Sequence, residues 1–230
     1  MRYIKQYGLE RSGTNLIRSL LEINYDVRVL SNLFGAKHEI FDITPEKIKT
    51  YDFKIDSNVI TDLSEESVEE ARSSFEDGSM EYMIIFKDIY AWAFSYKRYL
   101  CGISETKTIE EIVDRYNEVY MNWINMLIKR KSAICIDYFD LLGDNGQRVC
   151  YEIGKQWNLN PITDEFTPIL NRMYSGPDNA GSKNISNDTF KKIPFYTNKT
   201  YMMYLSQREQ DYISNNADYG VISYLNHVKI

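Results

Sequence analysis

Hydrophobic and polar positions change period several times along the chain, and each change marks an element. Residues 2–7, RYIKQY, alternate as a short strand does. After a glycine-bearing stretch, TNLIRSLLEI sets Leu16, Ile17, Leu20 and Leu21 at helical spacing, so the first unit reads strand, loop, helix. DVRVL at 26–30 gives a second strand and FKI at 53–55 a weak third. SEESVEEARSSFE reads as an acidic helix with a serine cap and glutamates in its first turn, where the helix dipole favours them. EYMIIF at 81–86 is almost continuously apolar, the pattern of a buried parallel strand, and a helix from about Tyr90 to Leu100 comes after it.

The longest periodic run, 108–130, carries Ile109, Ile112, Val113, Tyr116, Val119, Tyr120, Trp123, Met126 and Leu127 on one broad face. SAICIDY at 132–138 gives another buried strand, NGQRVCYEIGKQWNL another helix, and LSQREQDYISNNADYGVISYL a closing helix. Strands alternating with helices predict an α/β three-layer sandwich with a central parallel sheet, in one domain spanning 1–230. The stretch from about 160 to 200 holds four of the five prolines and reads as a long irregular segment.

Composition narrows the classes. The chain has 230 residues, 43% hydrophobic and 26% charged, within the range of a globular domain. Its net charge of −6 argues against non-specific nucleic-acid binding, so any anion site must be locally basic. Cys101, Cys135 and Cys150 have neither disulfide-framework nor metal-ligand spacing and read as free buried thiols. No apolar signal core opens the chain and no run of about 18 apolar residues occurs, so the expectation is a cytoplasmic protein with no membrane span.

The candidate chemistry begins at YGLERSGTNLIRSLLE. Gly8 and Gly13 have the spacing of a Walker phosphate loop, but Thr14 stands where its lysine belongs. Loop amides between a buried strand and a helix N-terminus hold a phosphate or sulfate whatever the side chains. Arg11 adds a planar fork that meets two oxygens at once. With no lysine after Gly13 and no obvious strand-ending aspartate for magnesium, metal-dependent NTP hydrolysis is disfavoured. In IIFKDIYAWAFSYKRY, Lys87 ends a strand and Ser95 stands eight residues later, two turns into the next helix, so the pair can converge on a second phosphate.

Together these motifs resemble the sulfotransferase superfamily, which uses 3'-phosphoadenosine 5'-phosphosulfate (PAPS). LERSGTN looks like its 5'-phosphosulfate loop, FKDIYAWAFS like its 3'-phosphate motif, and ICIDYFDLL like a third strand-end motif. The resemblance implies a P-loop nucleotide-binding type of fold. It implies that Arg11, Ser12, Gly13, Thr14 and Asn15 grip the phosphosulfate, and that Lys87 and Ser95 grip the 3'-phosphate. The family's late basic loop has no clear match; NRMYSGPDNAGSK is the stretch that could occupy its place, with Arg172 or Lys183 near the nucleotide. Arg11 replaces the lysine and Lys87 the arginine of many members, which keeps both charges.

His38, in NLFGAKHEI just past the second strand, stands where the family often takes the acceptor's proton; Lys37, His38 and Glu39 supply a cation and two candidate bases. His227 reads as structural, and Trp92 and Trp123 as core and acceptor-side wall. The expected activity is sulfuryl transfer from PAPS to an acceptor hydroxyl, with a small molecule or a glycan as the acceptor. Two rivals stay open, a P-loop small-molecule kinase and a non-catalytic nucleotide-binding module.

Overall fold

Four strands lie parallel in one sheet: β1 (Arg2–Tyr7), β2 (Val27–Leu30), β3 (Glu81–Phe86) and β4 (Ile134–Asp137), in the order β2-β1-β3-β4. The computed structural model describes residues 1–50, 64–131, 133–143, 145–168, 172–176, 179–185 and 188–230; the weak strand expected at 53–55 lies outside them. β1 and β3 are the central pair, in register from Ile4 opposite Glu81 to Tyr7 opposite Ile84. Both are buried almost throughout, as strands covered on two faces must be; the apolar run of β3 reflects that, while β1 buries Lys5 and Gln6 as well as its apolar residues.

Helix α1 (Thr14–Asn24) carries the chain from β1 to β2 and buries Leu16, Ile17, Leu20 and Leu21. The return path holds α2 (Pro45–Thr50) and α3 (Glu65–Glu76) and passes to β3 on the other side of β1. Ser64 caps α3, accepting from the Ser67 amide. From β3 the chain runs through α4 (Ile89–Gly102) and α5 (Ile109–Trp123) to β4. Right-handed crossovers then put α1 on one face of the sheet and α3, α4 and α5 on the opposite one. The periodic run expected as one helix over 108–130 is α5, a π turn (Ile124–Ile128) and the short α6 (Lys129–Lys131). Helix α7 (Asn145–Gln156) packs against α1.

Two expectations need correction. The 160–200 stretch is not irregular throughout: it holds an antiparallel hairpin of β5 (Arg172–Gly176) and β6 (Asn179–Ile185), then α8 (Asp188–Thr197), which accommodates Pro194. Arg172 therefore opens a strand, paired with Ile185, rather than sitting in a loop. The closing helix is two helices, α9 (Gln207–Asn216) and α10 (Tyr219–Val228), because Asp218 turns extended and its carboxylate caps the Val221 amide.

The strand order fixes where a ligand would go. From β1 the chain leaves toward β2, while from β3 it leaves toward β4, so the direction of winding reverses between β1 and β3. A crevice opens at such a reversal, outside the carboxyl ends of the two strands. The glycine loop comes directly after β1 and Lys87 directly after β3, so both end there.

Candidate functional site

The loop from Gly8 to Gly13 is shaped by close approach. A Cβ at Gly8 would stand 2.7 Å from Ser12 Oγ and 2.9 Å from the Ile85 carbonyl oxygen, so the loop can lie flat against β3 only with glycine there. Gly13, the residue before α1, has φ 101°, and a Cβ there would come within 2.4 Å of the Tyr138 ring. Arg11 is exposed and takes a left-handed backbone, with φ 70°. Ser12 is fully buried, and its hydroxyl has no hydrogen-bond partner among the described residues. A buried hydroxyl of that kind, inside a loop at the start of a helix, is the sort of group that a bound oxyanion satisfies.

The Lys37-His38-Glu39 segment lies against this loop. The Gly8 amide donates to the Lys37 carbonyl at 3.0 Å. Lys37 is buried, and its ammonium donates to Asn15 Oδ1 at 2.8 Å, beside the first turn of α1. An ammonium thus stands at the helix N-terminus, supplied by a loop 22 residues downstream instead of by the residue after Gly13. His38 Nδ1 lies 2.5 Å from the Gly8 carbonyl oxygen. A carbonyl only accepts, so Nδ1 carries the proton and Nε2 keeps a lone pair. Burial, and next the Lys37 charge, lower the His38 pKa to about 3, so the imidazole is neutral at physiological pH.

Arg115, on α5, ties the two loops together: it donates to the Glu10 carboxylate at 3.1 Å and to the His38 carbonyl at 3.0 Å, and lies 3.5 Å from Glu39. Glu39 itself is exposed. Trp92 and Trp123 are fully buried and serve as struts beneath this layer, the first donating to the Glu10 carbonyl at 2.8 Å and the second to the Glu39 carbonyl at 3.0 Å. The expected acceptor-side wall is in this respect a support for two loops.

Lys87 and Ser95 do meet. Lys87 Nζ donates to Ser95 Oγ at 3.0 Å and is 3.5 Å from the Arg11 carbonyl oxygen, while Ser95 donates to the Ala91 carbonyl at 2.8 Å. Two tyrosines that sequence reasoning did not single out enclose this lysine. Tyr196, from α8, offers its hydroxyl at 3.0 Å, and the ring centroids of Tyr138 and Tyr196 both lie 4.3 Å from Nζ. Lys87 is 1% exposed as a result. No local signal marks Tyr196, which is 109 residues away in sequence. Tyr138 could have been found as the residue directly after a strand end.

Contrary to the sequence expectation, there is a strand-ending aspartate, Asp137 on β4, but both of its oxygens are engaged. Oδ1 accepts from the Phe139 amide at 2.9 Å and Oδ2 from Lys229 at 3.0 Å. Asp88, just past β3, caps α4 through the Ala91 amide and accepts from the Tyr201 hydroxyl. Among the described residues no cluster of three or more histidine, cysteine or carboxylate groups has metal-site geometry, and no helix is long and apolar enough to cross a membrane. Cys135 and Cys150 are buried as expected; Cys101 is exposed, and His227 lies in the last turn of α10, also exposed.

Set beside models of known protein families the chain matches none, and no curated protein sequence matches it. What the site does must be read from its own chemistry.

Proposed function

We propose that this protein is a PAPS-dependent sulfotransferase, with the glycine loop as its 5'-phosphosulfate cradle. The observation that carries the reading is the presence of two separate buried ammonium groups on either side of one loop: Lys37 at the start of α1 and Lys87 with Ser95 behind Arg11. A nucleotide phosphorylated at two positions is the ligand chemistry that uses both. The orphaned Ser12 hydroxyl, the Gly8 and Gly13 close approaches and the Lys37–Asn15 pair fit an oxyanion on the α1 amides. Arg11, exposed at the loop's outer side, supplies a further cation for the same anion.

In the proposed reaction the acceptor hydroxyl oxygen forms a bond to sulfur while the bond from sulfur to the 5'-phosphate oxygen breaks, releasing 3'-phosphoadenosine 5'-phosphate (PAP). The acceptor's proton passes to His38 Nε2, whose lone pair is left free by the Nδ1 hydrogen bond to Gly8. With a pKa of about 3 the imidazole is a poor base by itself. Burial is the larger cause of that low value and the Lys37 charge the second; a bound dianion beside Lys37 offsets the second and raises the basicity of His38. Lys37 stabilises charge on the transferring group, and Glu39, exposed beside Arg115, is the second candidate base.

The kinase reading is less well supported, because the two carboxylates at strand ends, Asp88 and Asp137, are committed to a helix cap and to Lys229. A thermal-shift panel with PAP, PAPS, ATP-magnesium and GTP-magnesium tests the proposal. At about 100 times its Kd a ligand adds roughly 2.7 kcal/mol of stability, so PAP and PAPS are expected to give clear, magnesium-independent shifts. A larger shift with ATP-magnesium than with PAP would overturn the sulfotransferase reading in favour of the kinase.

A further inference from the structure

Lys5 sits in the middle of the central strand and is completely buried, at a position where an apolar side chain would complete the core without any desolvation cost. Its ammonium donates to three backbone carbonyls of one loop: Ser31 at 2.9 Å, Leu33 at 2.8 Å and Gly35 at 2.5 Å. In an extended chain, carbonyls two residues apart run parallel and do not meet at one point. Here Phe34 and Gly35 take φ 62° and 123°, a reversal that aims the oxygens at one point. The neighbouring Gln6 adds to the clasp, donating from Nε2 to Ser31 Oγ at 2.7 Å.

We infer that Lys5 is a positioning residue for the anion site: its ammonium gathers the 31–35 carbonyls and thereby sets where Lys37 and His38 stand against the glycine loop. The link is short. Only Ala36 separates the last clasped carbonyl from Lys37, whose own carbonyl receives the Gly8 amide. Lys37 Nζ also lies 3.5 Å from the hydroxyl of Ser31, the first residue of the clasp. A loop released from Lys5 keeps its residues but loses the register that delivers one ammonium to Asn15 and one imidazole to Gly8. The inference rests on the proposed function for what the site binds, and on the geometry alone for what holds it.

The test uses Lys5→Met, which keeps the length of the stem without its charge, and Gly35→Ala, which acts on the loop and leaves Lys5 in the core. A Cβ at Gly35 meets nothing closer than 3.7 Å, so the strain is confined to the backbone at φ 123°. Two readouts are taken on the full chain: the His38 pKa by NMR of the imidazole, and the affinity for inorganic pyrophosphate and for PAP. Lys5 also lowers the His38 pKa directly through its charge, so Gly35→Ala, which keeps that charge, is the variant whose titration reads position: it is expected to bring His38 up from about 3 toward the ordinary histidine range, and both variants are expected to weaken pyrophosphate binding at least tenfold. In Lys5→Ala, ammonium chloride is expected to restore both readouts where lithium chloride does not, because a small cation can re-enter the three-carbonyl clasp. If Gly35→Ala and Lys5→Met titrate His38 and bind pyrophosphate as the wild type does, Lys5 is a core residue and the inference is wrong. Should either variant fail to fold, the other and the ammonium arm decide the same question. If wild-type protein binds pyrophosphate but not PAP, the sulfotransferase reading falls while the His38 readout still judges Lys5.

Discussion

Replacing Lys87 by Met removes one charge and keeps the stem that fills the space between Tyr138 and Tyr196. Nζ is held by Ser95 Oγ and Tyr196 OH, both at 3.0 Å, and by two ring faces at 4.3 Å. If this ammonium receives the 3'-phosphate, its loss costs PAP a charge-assisted hydrogen bond, about 1.5–3 kcal/mol. At about 1.4 kcal/mol per decade that is roughly a 10- to 150-fold rise in Kd. Adenosine 5'-phosphosulfate, which lacks the 3'-phosphate, should bind with its affinity changed by less than about threefold, a difference inside the scatter of such contacts. Tyr196→Phe makes the opposite case. It removes a hydroxyl that competes with the phosphate for Nζ, and an ordinary net hydrogen bond of about 0.5–1.5 kcal/mol predicts that PAP binds about two- to tenfold more tightly. Isothermal titration of both ligands against the wild type, Lys87→Met and Tyr196→Phe measures all of these affinities. Equal losses of PAP and adenosine 5'-phosphosulfate in Lys87→Met would refute the assignment and leave Lys87 as a support for the Arg11 carbonyl, which it approaches to 3.5 Å.

His38→Gln is expected to lower turnover about 10²- to 10⁴-fold with PAP affinity kept, measured with labelled PAPS once an acceptor is found; full retention would move the base to Glu39. The same residue predicts a pH dependence: its pKa is lowered in the folded state to about 3, so the unfolded chain takes up a proton first as pH falls. The stability it contributes is complete above about pH 6.5 and is lost between there and about pH 3, by at most about 1.4 kcal/mol per unit, and calorimetry should show a flatter acid limb for His38→Gln. Gly13→Ala should destabilise the fold by at least about 1–2 kcal/mol for the left-handed backbone alone, and abolish pyrophosphate binding. Adding Tyr138→Ala relieves the 2.4 Å clash but not the strain, so the pair should recover part of the stability; full recovery would show that φ at Gly13 costs nothing.

Local pattern was enough for the sheet strands and for most helices. β1 was legible at its observed bounds from its alternation and β3 because a strand covered on both faces admits few polar residues, and the serine cap of α3 was legible because capping is a matter of three neighbouring residues. The glycine loop was legible for the same reason: close approach to a neighbour and positive φ are demands on single positions. Spacing alone also brought Lys87 to Ser95, since eight residues across a strand end and two helical turns leave little freedom.

The sequence read by itself mistook the 160–200 stretch for irregular chain, because a proline signals a break in regular structure yet is tolerated where neighbouring packing holds a helix together, as at Pro194 inside α8. It joined α9 to α10 because helical periodicity outweighed the single capping aspartate between them. Lys5, a polar member of the alternating first strand, is buried: alternation gives a side chain's face, while the loop that covers that face comes from 26 to 30 residues later. The same separation hid Tyr196; Lys37 was named as a cation of the site, but its bond to Asn15 at the helix N-terminus depends on the fold. Residues near one another in sequence determined the strands, the helices and the loop that can hold an anion. Which charges surround that loop was decided only when the parallel sheet set the ends of β1, β2 and β3 side by side.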